Sequence, residues 1–511
     1  MIDNSAMNYH TTMKGGALLH CVKVVAFLLV CFILNGCNDA TTGSGVLDGA
    51  QISGSERPNI ILIMTDDQGW FDVGFNGNTE IITPNLDKLA SKGVILDRFY
   101  SASAVCSPTR ASVITGRNPL RMGIPYANIG HMKDEEITLP ELLKRKGYTT
   151  AHFGKWHLGT FTKSELDSNR GGKPKYEEDY SIPSQHGYDT FFCTESKVPT
   201  YDPMVYPAKF LQGESKRYGW RAVENGATVN YGAAYWKSEH QKETDNVRGD
   251  DSRIIMDRVI PFVEGATQDS SPFFTTIWFH TPHLPVVSDS LHRSMYDHLS
   301  LEQQIYYGAI SAMDEQVGRL WDKLESLEVS ENTLIFFCSD NGPENKTPGS
   351  AGIFRGRKRS LYEGGVRVPA FVVWEAEIEK GKRTAYPMVT SDYLPTILEI
   401  LDMDYPHNRP LDGISVWKAI KGQQEVREEP IGFICSPGLS WMTHQYKLIG
   451  NEKGENYELY DLLNDKSETN DLMYVRPELA YQMKSDLNAW LKSVENSGKG
   501  LDYEVIESSD E

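Results

Sequence analysis

Beyond residue 58 the chain alternates between short continuous apolar runs and segments whose apolar residues recur three and four apart. A continuous run bounded by turn residues marks a strand buried on both faces, as in a parallel sheet; the three-to-four spacing marks a helix with one covered face. Ile60-Ile61-Leu62-Ile63-Met64 is the first such strand, and residues 94–100, 148–153, 273–279, 332–338 and 366–374 read the same way. Between them, Thr83-Pro84-Asn85 opens a helix closed by Gly93. Thr138 with Glu141 caps a helix ending at Gly147, and Ser300 with Gln303 caps a long amphipathic helix to about Leu327. Residues 251–263 and 391–401 also read as helices. The rhythm predicts an α/β fold, a large sheet flanked by helices. From about Gln423 the texture changes to short strands near 431–434, 445–449 and 457–461, with a last helix from Pro477 to about Val494 and an acidic tail.

Two stretches break this rhythm. Residues 160–250 are polar and rich in rings, among them Tyr201, Tyr206, Tyr218, Trp220, Tyr235 and Trp236. Aromatics argue against disorder, so the stretch reads as an insertion that either shapes a cleft with rings for sugars or packs as a flap with its own small core. At the other end, a polar prefix of twelve residues precedes Met13, which is read as the biological start. Lys14 and Lys23 then lead into an apolar run over 24–34, too short for a comfortable transmembrane helix and suited to a signal peptide. Its end, Leu34-Asn35-Gly36-Cys37, resembles a bacterial lipobox, which implies cleavage before Cys37 and a lipid on its thiol; an uncleaved signal anchor is the alternative. The expected organisation is a signal peptide over 1–36, a lipidated Cys and flexible tether over 37–57, a main domain over 58–422 and a C-terminal subdomain over 423–511. The expected location is the bacterial cell envelope, with the protein bound to the membrane through its lipid.

Composition narrows the partners. A net charge of -19 over 511 residues argues against nucleic acid and requires a local positive pocket for any anionic substrate. Abundant carboxylates suit a hard cation. Of 7 Cys, Cys21, Cys31 and Cys37 lie in the N-terminal segment, and Cys106, Cys193, Cys338 and Cys435 are scattered without metal or disulfide spacing.

Candidate chemistry sits where the apolar runs stop, because sites in open α/β sheets form beyond the carboxyl ends of strands. The first run stops at Asp66-Asp67, adjacent acids that repel unless a cation lies between them. The 332–338 run stops at Ser339-Asp340-Asn341-Gly342; together these make an all-oxygen set of the kind Ca²⁺ or Mg²⁺ prefers. Residues 148–153 lead into Gly154-Lys155-Trp156-His157, where alternation puts a cation and an imidazole on one side. The 273–279 run delivers His280-Thr281-Pro282-His283; two His at a strand end could ligate metal, but with no Cys or third His near in sequence a general acid and a second polar contact fit better. Arg355, Arg357, Lys358 and Arg359 form a basic, glycine-rich loop, read as the anion pocket. Finally, Cys106-Ser107-Pro108-Thr109-Arg110 opens a helix that Gly116 can end. The Cys106 side chain would then sit at an electropositive helix start with Arg110 one turn along.

Cys106-x-Pro108-x-Arg110 followed by Thr115-Gly116-Arg117 resembles the signature of the type I, formylglycine-dependent sulfatases, the arylsulfatase family. The likeness extends from Asn59 to about Leu491 through Asp66-Asp67, Lys155 and His157, His280 and His283, Asp340-Asn341, Lys358 and Glu363-Gly364-Gly365. It implies an alkaline-phosphatase-like α/β domain plus a smaller C-terminal α+β domain with an antiparallel sheet. It implies that a formylglycine-generating or sulfatase-maturating enzyme oxidises Cys106 to formylglycine (3-oxoalanine). Asp66, Asp67, Asp340 and Asn341, with the modified Cys106, would hold one Ca²⁺. Arg110, Lys155 and His157 would hold and activate the geminal diol that attacks sulfur. Lys358 and His283 would meet the bridging oxygen, His283 as acid for the leaving alcohol, with His280 and Arg355 as further substrate contacts. A sulfated-enzyme intermediate would then release inorganic sulfate. The expected substrate is a sulfated polysaccharide or oligosaccharide. The rivals are a two-zinc phosphomonoesterase or phosphodiesterase of the same superfamily, and a lipoprotein that binds sulfated glycans without turnover.

Overall fold

The computed structural model describes residues 57–207, 229–345 and 347–503. Sixteen strands occur among them: β1 (Asn59–Thr65), β2 (Val94–Leu96), β3 (Phe99–Tyr100), β4 (Thr149–Lys155), β5 (Thr190–Thr194), β6 (Tyr235–Ser238), β7 (Gln241–Glu243), β8 (Phe273–Trp278), β9 (Thr333–Ser339), β10 (Ala370–Val373), β11 (Lys382–Thr384), β12 (Met388–Val389), β13 (Ile431–Cys435), β14 (Gly438–Met442), β15 (Tyr446–Asn451) and β16 (Glu458–Asp461). Ten of these form one mixed sheet in the order β11-β2-β10-β9-β1-β8-β4-β5-β6-β7. Its centre, β9-β1-β8-β4-β5, is parallel throughout, and antiparallel pairs bring in β10 and β6 at either side.

The apolar runs are strands because both faces of the sheet are covered. Ile60, Leu62 and Met64 of β1 join one cluster with Leu334, Phe336, Phe274 and Trp278. Ile61 and Ile63 join the opposite cluster with Ile335, Phe337, Phe273 and Ile277. Helices Cys106–Thr115, Leu139–Arg145 and Tyr393–Ile400 contribute to the first layer. Helices Pro84–Ser91, Asp251–Gln268 and Leu301–Ser326 contribute to the second. The capping boxes at Thr138/Glu141 and Ser300/Gln303 form as read.

A second sheet, the antiparallel meander β13-β14-β15-β16, lies C-terminal to the first. Its alternation serves two layers. Ile431, Phe433, Met442 and Tyr460 pack with Tyr100, Val105 and Val366, while Leu439, Trp441, Leu448 and Leu459 pack with Met483 and Leu487 of helix Pro477–Gly498. This is the expected combination of a large helix-flanked mixed sheet and a smaller antiparallel one.

Four local readings change. Residues 94–100 split into β2 and β3, which enter different sheets because Asp97 and Arg98 turn between them. Residues 363–366 form a helical turn, Glu363–Val366, so the strand begins only at Ala370. β14 went unread. The stretch 160–250 is not simply an insertion. It supplies β5, a parallel strand of the main sheet, and the edge strands β6 and β7. Tyr235 and Trp236 are buried in the core rather than offered to a ligand. Tyr218 and Trp220 lie outside the described residues, as do the proposed signal segment, Cys37 and the tether as far as residue 56. No helix among the described residues is long and apolar enough to cross a membrane.

Candidate active site

The parallel register decides what meets. Met64 pairs with Cys338 and Thr65 with Ser339, so the strand ends that carry Asp66-Asp67 and Asp340-Asn341 lie side by side. On the other side of β8, Gly154 pairs with both Trp278 and Cys193, and Lys155 with Thr194. Gly154 has φ +99°, and a Cβ there would lie 2.0 Å from the Trp278 carbonyl oxygen, so only glycine lets β4 deliver Lys155 so close to β8. Helix Cys106–Thr115 starts above these ends after an extended Val105 and stops at Gly116, whose φ of +68° is the left-handed cap expected of it.

Three carboxylates meet three cations, all buried. Lys155 Nζ donates to Asp66 Oδ2 at 2.6 Å. Arg110 donates twice to Asp340 Oδ2, at 2.6 and 3.1 Å, and lies 3.5 Å from Asp66. Its guanidinium also stands over the Trp278 ring, 5.2 Å from the centroid. Lys358 Nζ donates to Asp67 Oδ1. Cys106 Sγ lies 3.5 Å from both Asp66 Oδ1 and Lys358 Nζ. Burial works against the Asp66 carboxylate, but Lys155, His283, Arg110 and Lys358 together hold its pKa well below the usual range. Burial, with Asp66 alongside, pushes Asp340 up against the pull of Arg110. Burial also opposes charge on Lys358, yet Asp67 and its neighbours keep it well above the ordinary lysine range.

The helix start does not make Cys106 a reactive thiolate. Burial, then Asp340 and Asp66, push its thiol well above the usual cysteine value. The unmodified side chain is a neutral thiol.

Asn341 Nδ2 donates to Asp67 Oδ1 at 2.7 Å, which leaves the other oxygen of each side chain over. Asp67 Oδ2 and Asn341 Oδ1 are buried without a hydrogen-bond partner. His283 Nδ1 bonds the Leu284 carbonyl at 2.6 Å, so Nδ1 carries the proton and Nε2 turns its lone pair toward Asp67 Oδ2, 3.6 Å away. Burial lowers the pKa of His283 to about 3 despite Asp66 and Asp67, so this ring is neutral near pH 7. One ligand atom each from Asp66, Asp67, Cys106 and His283 falls within 4.8 Å of the others. An orphaned carboxylate oxygen facing a lone pair fits a cation, and a set rich in carboxylate oxygens suits a hard divalent one. Both oxygens of Asp340 are already engaged: Oδ1 accepts from the Asp67 amide at 3.1 Å, and Oδ2 is held by Arg110.

A cavity of about 240 Å³ opens over this cluster. Cys106, Lys155, His157, His283 and Lys358 line it, as the sequence suggested. His157, at φ +60°, bonds Asn128 Oδ1 through Nε2 at 3.0 Å, which leaves Nδ1 buried with no partner. Burial and then Lys155 hold its pKa well below the usual histidine value, so Nδ1 is a free base.

Two expected substrate contacts do not reach the cavity. His280 is buried behind it, bonded through Nδ1 to Asp251 at 2.8 Å and through Nε2 to Thr194 Oγ1 at 2.8 Å. It braces the end of β5 and does not line the cavity. Arg355 turns away to the second sheet, donating to Tyr460 Oη at 2.9 Å and stacking on Tyr362 at 3.8 Å. Arg359 lines the cavity instead, because its φ of +73° reverses the chain. Lys197, Ser196, Asn128, Tyr126, Asn169 and Glu344 also line it and were missed. A signal existed for two of them. Phe191-Phe192-Cys193 is an apolar run, and the carboxyl-end rule applied to it points at Ser196-Lys197.

The same architecture recurs in known proteins. Residues 58–403 match the family model Sulfatase, and residues 349–496 match N-sulphoglucosamine sulphohydrolase, C-terminal. N-acetylgalactosamine-6-sulfatase of Canis lupus familiaris is 30% identical over 411 residues, covering 77% of this chain and 71% of that protein. Arylsulfatase G of Rattus norvegicus is 30% identical over 396 residues, covering 72% and 70%. The crystal structure of Ps i-CgsB in complex with k-i-k-neocarrahexaose superimposes with a TM-score of 0.72 at 26% identity, covering 88% of this chain and 98% of that one. Sheet, second domain and carboxyl-edge site together place the protein among the alkaline-phosphatase-like hydrolases. Within them the chain belongs to the sulfatase family and is a sulfuric ester hydrolase.

Proposed function

We propose that this protein hydrolyses a sulfate ester on a saccharide, with position 106 as formylglycine and one Ca²⁺ beside it. The observation that carries the reading is the buried, partnerless Asp67 Oδ2, faced by His283 Nε2 at 3.6 Å and grouped with Asp66 and Cys106. Asp66, Asp67 and Asn341 would hold the ion, with Asp340 supporting from its place under Arg110; the ion would polarise the sulfate oxygens and ease ionisation of the nucleophile. Formylglycine, as its hydrate, supplies a hydroxyl that attacks sulfur and a second one whose ionisation lets sulfate leave. Lys155 and Arg110 fix the carboxylates around that position. His157 Nδ1 is a base able to take a proton. Lys358 Nζ stands beside position 106, where its charge stabilises the sulfate and the bridging oxygen. His283 Nε2 faces the same space and acts as the acid once an incoming sulfate raises its proton affinity.

The saccharide reading draws support from relatives: the first is named for sulfated N-acetylgalactosamine, and the Ps i-CgsB complex holds an oligosaccharide. The lipobox-like Leu34-Asn35-Gly36-Cys37 supports a lipid anchor in a bacterial envelope. The formylglycine requires a maturating enzyme as partner.

The test is release of inorganic sulfate from a panel of sulfated saccharides, together with mass spectrometry of the peptide carrying residue 106. Active protein should contain a species lighter than the Cys form by the mass of hydrogen sulfide less that of one oxygen atom. Full activity with only unmodified Cys106, or activity on phosphate esters alone, would overturn the reading.

A further inference from the structure

Lys197 is a cation without a counter-ion. It is half-buried on the cavity wall, and among the described residues no hydrogen bond or ion pair engages its ammonium. The other cavity cations are occupied: Lys155 by Asp66, Lys358 by Asp67, and Arg359 by Glu344 through two bonds of 2.7 and 2.8 Å. The backbone before Lys197 is held firmly. Thr194 Oγ1 donates to the Ser196 carbonyl at 2.6 Å, Asn169 Nδ2 donates to Ser196 Oγ at 2.9 Å, and His280 with Asp251 buttresses Thr194. An ammonium half withdrawn from water and near Lys155 and Lys358 is costly unless an anion arrives.

The charge count shows which anion. Arg110, Lys155 and Lys358 already balance Asp66, Asp67 and Asp340, three against three. A divalent cation would then offset one sulfate monoester and one ionised nucleophile. The reacting sulfate leaves nothing for Lys197 to neutralise. We infer that Lys197 is a specificity-determining residue which binds a second anionic group of the substrate, a further sulfate or a carboxylate on the same or the adjoining sugar. The substrate class is thereby narrowed to multiply charged saccharides. The inference rests on the proposed hydrolysis of saccharide sulfates.

The test uses the full chain carrying Cys106→Ser, loaded with calcium, and isothermal titration with N-acetylgalactosamine 6-sulfate and N-acetylgalactosamine 4,6-disulfate. A third probe is the 6-sulfate joined to a uronic acid. At least one doubly charged probe should bind more tightly than the monosulfate. Lys197→Ala should cut that preference about 10- to 100-fold, the scale of a lost charge-assisted hydrogen bond, and Lys197→Arg should restore most of it. Three results would each overturn the inference: no preference for either doubly charged probe, equal loss on all three with Lys197→Ala (Lys197 then grips the reacting sulfate), or no loss on any. Sulfate release by the unsubstituted protein is read separately, so failure of hydrolysis is distinguishable from failure of the second contact.

Discussion

Lys447→Met tests how the second sheet steadies the active-site loop. Lys447 lies on β15 with its side chain fully buried, and its Nζ reaches Glu363 Oε1 at 2.9 Å and Glu468 Oε1 at 3.1 Å. Glu363 also accepts from Tyr100 Oη at 2.9 Å and pairs with Arg367 at 3.2 Å, and its amide donates to Glu468 Oε2 at 2.7 Å. Glu363 opens the turn that follows the Lys358 loop, so this network ties the meander to a cavity residue. Burial opposes ionisation of Glu363, but Lys447 and Arg367 outweigh it; burial pushes Glu468 up in spite of Lys447. Methionine keeps the apolar stem and removes the charge that two buried carboxylates share. Breaking a buried pair typically costs about 3–5 kcal/mol. With Glu468 stranded and Glu363 left to Arg367 and Tyr100, about 3 kcal/mol is expected at pH 8, softened where an acid protonates. The sign follows from linkage. In the variant the Glu468 pKa climbs further above the unfolded value of about 4.3 and that of Glu363 climbs as well, so the variant's folded state binds more protons than the parent's and the loss of stability grows as pH rises through that window. Urea unfolding followed by tryptophan fluorescence should show the larger loss at pH 8 and the smaller at pH 5.5. Adding Glu468→Gln should return about 1–2 kcal/mol, a coupling normal for contacting residues. A loss below about 1 kcal/mol, or one equal at both pH values, would refute the argument that this buried charge network ties the meander to the loop carrying Lys358.

Three further outcomes are expected. Asp67→Asn should lower calcium content and turnover together, by elemental analysis and sulfate release; active protein with two Zn²⁺ per chain would contradict the single-ion site. His283→Ala should damage turnover of a saccharide sulfate about 10²–10⁴-fold and that of an activated aryl sulfate far less, whereas Lys358→Ala should damage both; equal losses for His283→Ala on the two substrates would remove it as the acid. Cys37→Ser should release active protein from the membrane fraction, and retention there would indicate an uncleaved helix.

Much of this molecule was legible from local pattern. β1 and β9 are continuous apolar runs because both faces of a central parallel strand are covered, and their ends could be read as Asp66-Asp67 and Asp340-Asn341. The helix at Cys106 was legible because Pro108 and Gly116 mark its two ends within a dozen residues. Capping boxes were legible for the same reason: their partners lie three residues apart.

What the tertiary structure alone decided concerns direction and company. His280 and His283 share one segment, yet one is consumed in bracing β5 and the other opens to the cavity. The difference depends on which strand lies alongside, and strand neighbours are set by packing over the whole sheet. Arg355 and Arg359 differ likewise, through a reversal of the backbone at Arg359. Lys197 could not be singled out without knowing that Asp66 and Asp67 are each already taken by cations far away in sequence, and Glu344 by Arg359 of the neighbouring loop. Composition counts charges; only packing pairs them, because Coulomb energy depends on separation and burial and not on distance along the chain.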